Sequence, residues 1–248
     1  RDSRTIGGMA DLPALLRAEL GDVVVTDPAA LEAARSDYSG QRSDSAPLAI
    51  VEARTVADVQ TALRFAHAHR LPVVPRGAGT GLTGGAMASA AQLVVSTSRL
   101  SSIVEINAAD QLAVVQAGML NADLGRAVEP HGLFFAPDPA SREISTIGGN
   151  IATNAGGLLC AKYGVTREAV LGLTVVLADG SLLELGHRTV KGVTGLDLTA
   201  LMIGSEGTLG IVVEATVRLL PLPTGDPATL SATFVDVVAA AAASTAIT

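Results

Sequence analysis

Aromatic residues are nearly missing from this chain: 2% of 248 residues, with no tryptophan at all. A core of domain size must therefore be assembled from Ala, Val, Leu and Ile, and the length allows one large domain or two small ones. Cysteine occurs once, as Cys160. That excludes an internal disulfide framework and any cysteine cluster for zinc or iron–sulfur, and it sets the expectation of a cytoplasmic location. Basic residues are outnumbered, 17 Lys and Arg against 24 Asp and Glu, for a net charge of −7. Nucleic acid and anionic membrane surfaces both call for a basic face, so neither is an expected partner. No apolar run approaches the ~18 residues of a membrane span. No basic-then-apolar leader pattern opens the sequence, and its first residues, RDSRTIGG, read as processed or vector-derived and are set aside. HExxH, GxSxG and a Walker lysine are all absent.

What is plentiful is glycine, and it is clustered. Residues 75–85 read PRGAGTGLTGG, residues 145–157 read STIGGNIATNAGG, and residues 204–210 read GSEGTLG. Each is expected to be a turn whose backbone amides can approach an anion that a Cβ would hold away. One such turn has a purely geometric explanation. Three of them point to an extended ligand gripped along its length, with a flavin dinucleotide as the leading candidate.

The surrounding pattern organises the chain. Helical spacing covers residues 9–20 and a short helix opens at Asp27-Pro28. The strand LAIVE, a helix over residues 56–69 with Thr55 as N-cap, and the strand PVVP form a β-α-β unit that ends at the first glycine turn. QLVVST, SIVEIN and LAVVQAG are three further strands, followed by a helix over residues 120–131 and the loop FAPDPAS. LGLTVVLADGSLLEL reads as a hairpin about Asp179-Gly180. A helix over residues 197–202, the strand IVVEATVRLLPLP, a further strand ATLSATFVD and a terminal helix VVAAAAASTAIT complete the expectation. The small lobe is expected to end near Ser89 and a larger antiparallel lobe near Pro223.

Gly79, Gly81 and Gly84 match G-x-G-x-x-G after a strand, the fingerprint of a Rossmann dinucleotide site. That fold needs a crossover helix at the third glycine and an acidic residue about 20 positions on. Only a few small residues separate Gly84 from QLVVST, so the turn is read as an amide cradle without the helix. In residues 145–157, Ile147 and Ile151 are expected to anchor to the core while the glycines and Asn154 face the ligand. Arg76 is the basic residue best placed for a phosphate. Glu206 reads equally as a functional carboxylate or a backbone cap. Cys160 reads as a small buried filler. His67 and His69, two apart on a helix, cannot share a metal. His131 reads as a charge at a helix end, His187 has no partner near it in sequence, and no metal site is expected.

With those motifs assembled, the chain resembles the FAD-linked oxidases of the vanillyl-alcohol-oxidase fold. The nearest branch is that of the glycolate oxidase D-subunit, D-lactate dehydrogenase and D-2-hydroxyglutarate dehydrogenase. APDPAS (136–141), KYGVTREAVLGLTVVLADG (162–180) and IGSEGTLGIVVEATVRLLPLP (203–223) carry the likeness along with the two longer glycine motifs. The resemblance implies an α+β, PCMH-type FAD-binding fold of two lobes: a small β-α-β lobe and a larger antiparallel-sheet lobe. It sets an FAD-binding domain at residues 46–223, with lobes at 46–89 and 90–223. A helical segment (1–45) would precede it, and the start of a truncated substrate cap (224–248) would follow. It also implies non-covalent FAD, since no histidine lies in the glycine motifs. Its pyrophosphate would lie on Arg76, Gly77, Ala78, Gly79, Thr80 and Gly81, flanked by Pro75 and Gly85. Gly148, Gly149, Ala152, Thr153, Asn154 and Gly156 would pass along the ribityl chain and flavin, with Ser145, Thr146, Ile147 and Gly157 also among the cofactor-binding residues. Pro137 and Asp138 would lie near the cofactor and Ile211 near the adenine end through its backbone, with Glu206 and Gly207 also among the cofactor-binding residues.

The implied parent would oxidise a small 2-hydroxy acid and pass electrons to a quinone or partner protein, its catalytic residues lying in a cap beyond this chain. A non-catalytic FAD-carrying subunit of a larger oxidoreductase is the alternative. A flavin subunit of a molybdenum hydroxylase and an enolpyruvyl reductase share the fold but match these motifs poorly.

Overall fold

A computed structural model describes residues 11–189, 191–225 and 228–247. Helix α1 (Leu12–Leu20) leads into a 3-10 turn (Gly21–Val23) and strand β1 (Val24–Val25). Met9 and Ala10, at the start of the helix expected over 9–20, lie outside the described residues. Helix α2 (Pro28–Ala33) starts where Asp27 takes the amides of Ala29 and Ala30 on its carboxylate. Strand β2 (Ala49–Glu52), helix α3 (Val56–His69) and strand β3 (Val73–Arg76) then form the expected β-α-β unit. Thr55 caps α3 in a reciprocal box: its hydroxyl accepts from Asp58 N at 3.2 Å, and Asp58 Oδ2 accepts from Thr55 N at 2.9 Å.

Strand β4 (Leu93–Ser96) inserts between β2 and β3, parallel to both, with the antiparallel β1 outside β2. Two expectations change here. The small lobe does not end at Ser89, because β4 beyond it belongs to the first sheet. Residues before 46 are no separate segment either: Leu12, Leu16, Val23 and Val24 sit in the same core as Val51, Val59 and Leu93. Leu16 is fully buried beneath α3, a burial that contributes roughly 1.5–3 kcal/mol.

The second sheet is antiparallel, in the order β5 (Ile103–Asn107), β6 (Leu112–Gln116), β10 (Ile211–Arg218), β8 (Val170–Val176), β9 (Leu182–Gly186). The β8–β9 hairpin turns at Asp179-Gly180 as its sequence requires. Helix α4 (Asn121–Val128) with a 3-10 turn (Glu129–His131), strand β7 (Leu133–Phe134) and helix α5 (Ile147–Thr153) follow β6. Two short helices, α6 (Cys160–Tyr163) and α7 (Thr166–Ala169), lead into β8; α8 (Leu198–Met202) packs on β8 and β9; β11 (Leu220–Pro221) pairs with β7. Helix α9 (Val237–Ile247) bears out the helical tail and has no buried residue. The strand expected at ATLSATFVD does not form: its described residues, 228–236, have no pairing partner. Without a neighbour to take their hydrogen bonds, β-rich residues remain coil.

Strand β10 ties the lobes together. Its inward positions alternate with period two, yet Ile211 and Val213 enter the first core while Ala215 and Val217 enter the second. Val176 of β8 joins the first core as well. At the junction Gly118 lies against backbone: a Cβ there would fall within 2.8 Å of Leu100 O and closer still to Thr97 O. Neither carbonyl can yield as a side chain could.

Gly118→Ala is accordingly expected to destabilise the chain by about 1–3 kcal/mol, read as a lower urea midpoint. An unchanged midpoint would mean that the junction adjusts freely. Glu214, on the outward face of β10, has its pKa pushed up by burial and then by the Glu184 carboxylate, against the opposing pull of Arg188. The folded form thus holds that proton more tightly than the unfolded form. Its contribution to stability is present in acid and is lost as pH rises through the raised value. Glu214→Gln should therefore melt higher than the parent near neutral pH, with the gap closing in acid; a gap that ignores pH would contradict this origin.

Candidate functional site

The first glycine motif begins where β3 stops. Residues 77–92 run irregularly from β3 to its parallel neighbour β4, and no helix opens at Gly84. This settles the G-x-G-x-x-G match against a Rossmann site, although the crossover is parallel after all and is made by loop alone. Several contacts hold the loop. Tyr38 N donates to Gly79 O at 3.2 Å, Ala88 N to Ala34 O at 3.0 Å, and Ala86 N to Asp37 Oδ2 at 3.3 Å.

Arg76 turns its guanidinium inward beneath the loop, with Nη1 donating to Ala86 O at 2.6 Å and Nη2 to Ser36 O at 3.1 Å. Burial pulls its pKa down, while the Asp37 carboxylate acts in the opposite sense. Burial raises the Asp37 pKa in turn, but Ser39, the Ala86 amide and the Arg76 charge together hold it below the usual value. Gly79, at φ 71°, sits directly over this guanidinium, and a Cβ there would stand 2.5 Å from Arg76 Nη2. The brace does not engage the loop's own donors. Among the described residues, the amides of Ala78, Gly79, Thr80 and Gly81 donate to no protein acceptor.

The second motif is not the expected turn: residues 147–153 are helix α5. Thr146 caps it, accepting from Gly149 N at 3.2 Å. The next amides are also taken, Ile147 N by Met119 O at 2.8 Å and Gly148 N by Ala117 O at 2.7 Å. An anion therefore finds no free amide at this helix start. The glycines act instead through what they lack. Gly148 packs on Ala117, and a Cβ on Gly77 would meet the helix cap, Thr146 Oγ1, at 2.5 Å, so the loop lies directly against the start of the helix. Ile147 and Ile151 are buried, as the spacing required. Ser145 Oγ and Asn150 Nδ2 are buried without a protein hydrogen-bond partner.

The third motif closes the other end of α5. Gly204 N donates to Ile151 O at 2.9 Å and Glu206 N to Ala152 O at 2.8 Å, satisfying carbonyls the helix leaves open. Gly207 lies on Pro75, where a Cβ would stand 2.7 Å from the ring.

Three stretches far apart in sequence thereby line one cleft between the lobes. Pro75, Arg76 and Gly77 form one wall, Gly148, Gly149 and Ala152 another, and Glu206, Gly207 and Ile211 the third. Gly156, Gly157, Pro137 and Asp138 form a separate cluster. Gly157 packs on the Asp138 carbonyl, Asp138 Oδ1 accepts from Leu159 N at 3.0 Å, and Pro137 O accepts from Asn121 Nδ2 at 3.0 Å. Asn154 spends its Oδ1 on Arg167 N at 3.0 Å. Cys160 is half-buried rather than a core filler, and its sulfur accepts from Gly157 N at 2.8 Å.

Sequence reasoning missed Thr97, which lines the cleft, and a cavity of about 410 Å³ beside Ala78 and Thr146. That cavity is walled by Ser98, Ser101, Gly118, Met119, Leu120 and Asp123 among others. The one available signal was Gly118, a glycine two residues after a strand. A further cavity of about 480 Å³ lies past the Pro75–Gly207 contact, between Leu63, Ala66 and Leu71 of the first lobe and Leu209 and Ile211 of the second. Among the described residues no group of three His, Cys, Asp or Glu side chains could hold a metal, and no helix is long and apolar enough to cross a membrane.

Unpartnered amides on a loop braced by Arg76, a cleft of glycine backbone and flanking cavities define a two-lobed dinucleotide-binding domain of the non-Rossmann kind. The chain belongs to the FAD binding domain family, whose profile matches residues 47–186. It is 49% identical over 179 residues to the glycolate oxidase subunit GlcD of Bacillus subtilis, covering 72% of this chain and 38% of that protein. To the D-2-hydroxyglutarate dehydrogenase of Xanthomonas citri pv. viticola it is 48% identical over 198 residues, covering 80% and 42%. The fold matches an alkyldihydroxyacetonephosphate synthase structure with a TM-score of 0.78 at 24% identity, covering 87% of this chain and 41% of that one. The chain thus spans about two-fifths of the length of these relatives. The cofactor is FAD, and the residues present fit it: free amides for the pyrophosphate, and glycine faces where a flat or extended group must pass close.

Gly81 offers a clean test of the cradle. A Cβ there meets nothing within 4 Å and its φ is ordinary. Gly81→Ala should therefore fold with unchanged or slightly higher stability. It should nonetheless bind FAD at least about tenfold more weakly, because the methyl group enters the space before the free amides and displaces a charge-assisted hydrogen bond. Full affinity by fluorescence titration would move the phosphate elsewhere.

Proposed function

We propose that this chain is the FAD-carrying part of a flavin-dependent oxidoreductase that acts on the CH–OH group of a small 2-hydroxy acid of the D-lactate or glycolate type. The observation that carries the reading is its near-half identity, across both lobes, to a glycolate oxidase subunit and a D-2-hydroxyglutarate dehydrogenase. When bound, FAD supplies the acceptor for the hydride leaving the substrate α-carbon. The residues of this chain hold and orient it. Ala78 to Gly81 present amides to the pyrophosphate, Gly148, Gly149 and Ala152 let the ribityl chain lie against α5, and Ile211, which borders both the cleft and the 480 Å³ cavity, supports an adenine at that end.

Oxidation of a hydroxy acid also needs a base for the hydroxyl proton and a cation for the carboxylate. Arg76, the one arginine among the described cleft-lining residues, is turned under the loop by its bonds to Ala86 and Ser36, so it is not placed to take the carboxylate. The electron acceptor is a quinone or partner protein, and the location cytoplasmic.

The purified chain, incubated with FAD and desalted, should keep the twin visible absorbance bands of bound flavin. In the longer protein those bands should bleach anaerobically on addition of a D-2-hydroxy acid. Bands that stay through D-lactate, glycolate and D-2-hydroxyglutarate alike would favour the non-catalytic FAD-carrying subunit instead.

A further inference from the structure

Thr83 and Glu206, 123 residues apart and both exposed, meet where Glu206 borders the cleft: Thr83 Oγ1 donates to Glu206 Oε2 at 3.0 Å. Among the described residues no other side-chain hydrogen bond joins residues 78–85 to the second lobe. Thr83 lies two residues past the free amides of Ala78 to Gly81, so whatever holds Thr83 holds that outer arm of the loop.

Glu206 is placed at some conformational cost. Its backbone is left-handed, at φ 51°, in a turn where Gly204 and Gly207 already supply that conformation. A glycine would relieve the backbone at this position, and yet the chain carries a carboxylate. Its amide is anchored on Ala152 O at the end of α5, and its Oε2 stands 3.1 Å from where a Cβ of Gly85 would lie. One residue therefore touches the helix, the loop tip and the cleft at once.

We propose that the Thr83–Glu206 pair is a latch that closes the first glycine loop over the bound dinucleotide and sets how slowly FAD leaves. The latch rests on the FAD reading above and adds to it two positioning residues that act on the loop. Opening it frees the outer arm of the loop while the inner arm stays braced by Arg76. The cleft can thus admit a dinucleotide without unfolding either lobe.

The test is the release rate of FAD, followed by the recovery of free-flavin fluorescence after dilution, with the melting temperature of the apo chain measured in parallel. Thr83→Val and Glu206→Ala should each speed release by about three- to tenfold, the range expected for one hydrogen bond. Thr83→Ser keeps the donor and Glu206→Gln keeps an acceptor, so both should release FAD at the parental rate. The double variant should be no faster than either single, because the two residues act as one unit. A Thr83→Val chain that releases FAD at the parental rate, or a Thr83→Ser chain as fast as Thr83→Val, would overturn the latch while leaving the cofactor in place. A lower apo melting temperature with unchanged release would assign the pair to folding alone and overturn it too. A parental chain that retains no FAD would instead overturn the reading beneath it.

Discussion

Everything in the cleft depends on how closely the backbone of Pro75 to Gly77 approaches the start of α5 on one side and the third glycine motif on the other. Gly77 against Thr146, Gly148 against Ala117 and Gly207 against Pro75 are contacts in which one partner has no side chain to interpose. Interior packing tolerates neither gaps nor overlaps of a methyl group. A side chain at any of these points would part the walls and remove the groove that a dinucleotide needs. The glycine clusters are thus packing requirements first, and their binding role follows from the narrow, polar backbone surface they create.

The electrostatics follow the same logic. A chain of net charge −7 takes an anionic cofactor at a cleft where, among the described lining residues, Arg76 is the one basic side chain and is turned under the loop. Arg76, the cleft's guanidinium, works from below: it ties Ala86 and Ser36 together and holds the loop whose amides at Ala78 to Gly81 have no protein acceptor among the described residues. Fixed amide dipoles need little reorganisation when the ligand arrives, whereas a mobile arginine would have to be ordered at that moment.

Much of the architecture was legible in the residues. Thr55 as an N-cap, Asp27 with Pro28, and Asp179 with Gly180 are local signals whose physics is complete within a few positions, and the elements they start or turn stand where expected. What was not legible depended on distance. Residues 145–157 look like a turn because glycine disfavours helix, but Met119 O, Ala117 O and the third motif take up the helix ends and override that preference. Strand β4 was assigned to the wrong lobe because sequence order hides an insertion between β2 and β3. ATLSATFVD has strand composition and no partner, and composition alone cannot supply one. In the site, the three cleft walls were readable as motifs. Thr97 and the cavity beside Gly118 were not, since neither carries a pattern of its own.

Strand β10 divides its inward side chains between two cores, and that has a consequence for how the molecule melts. Ile211 and Val213 cannot leave the first core unless the strand that carries Ala215 and Val217 loosens the second. The lobes are therefore coupled parts of one cooperative unit, and a calorimetric scan of the chain should trace a single heat-absorption peak. Damage far from the cleft, in α1 or β1, would then reach the cofactor as a shortened lifetime of the whole fold, with no change in the contacts that hold it.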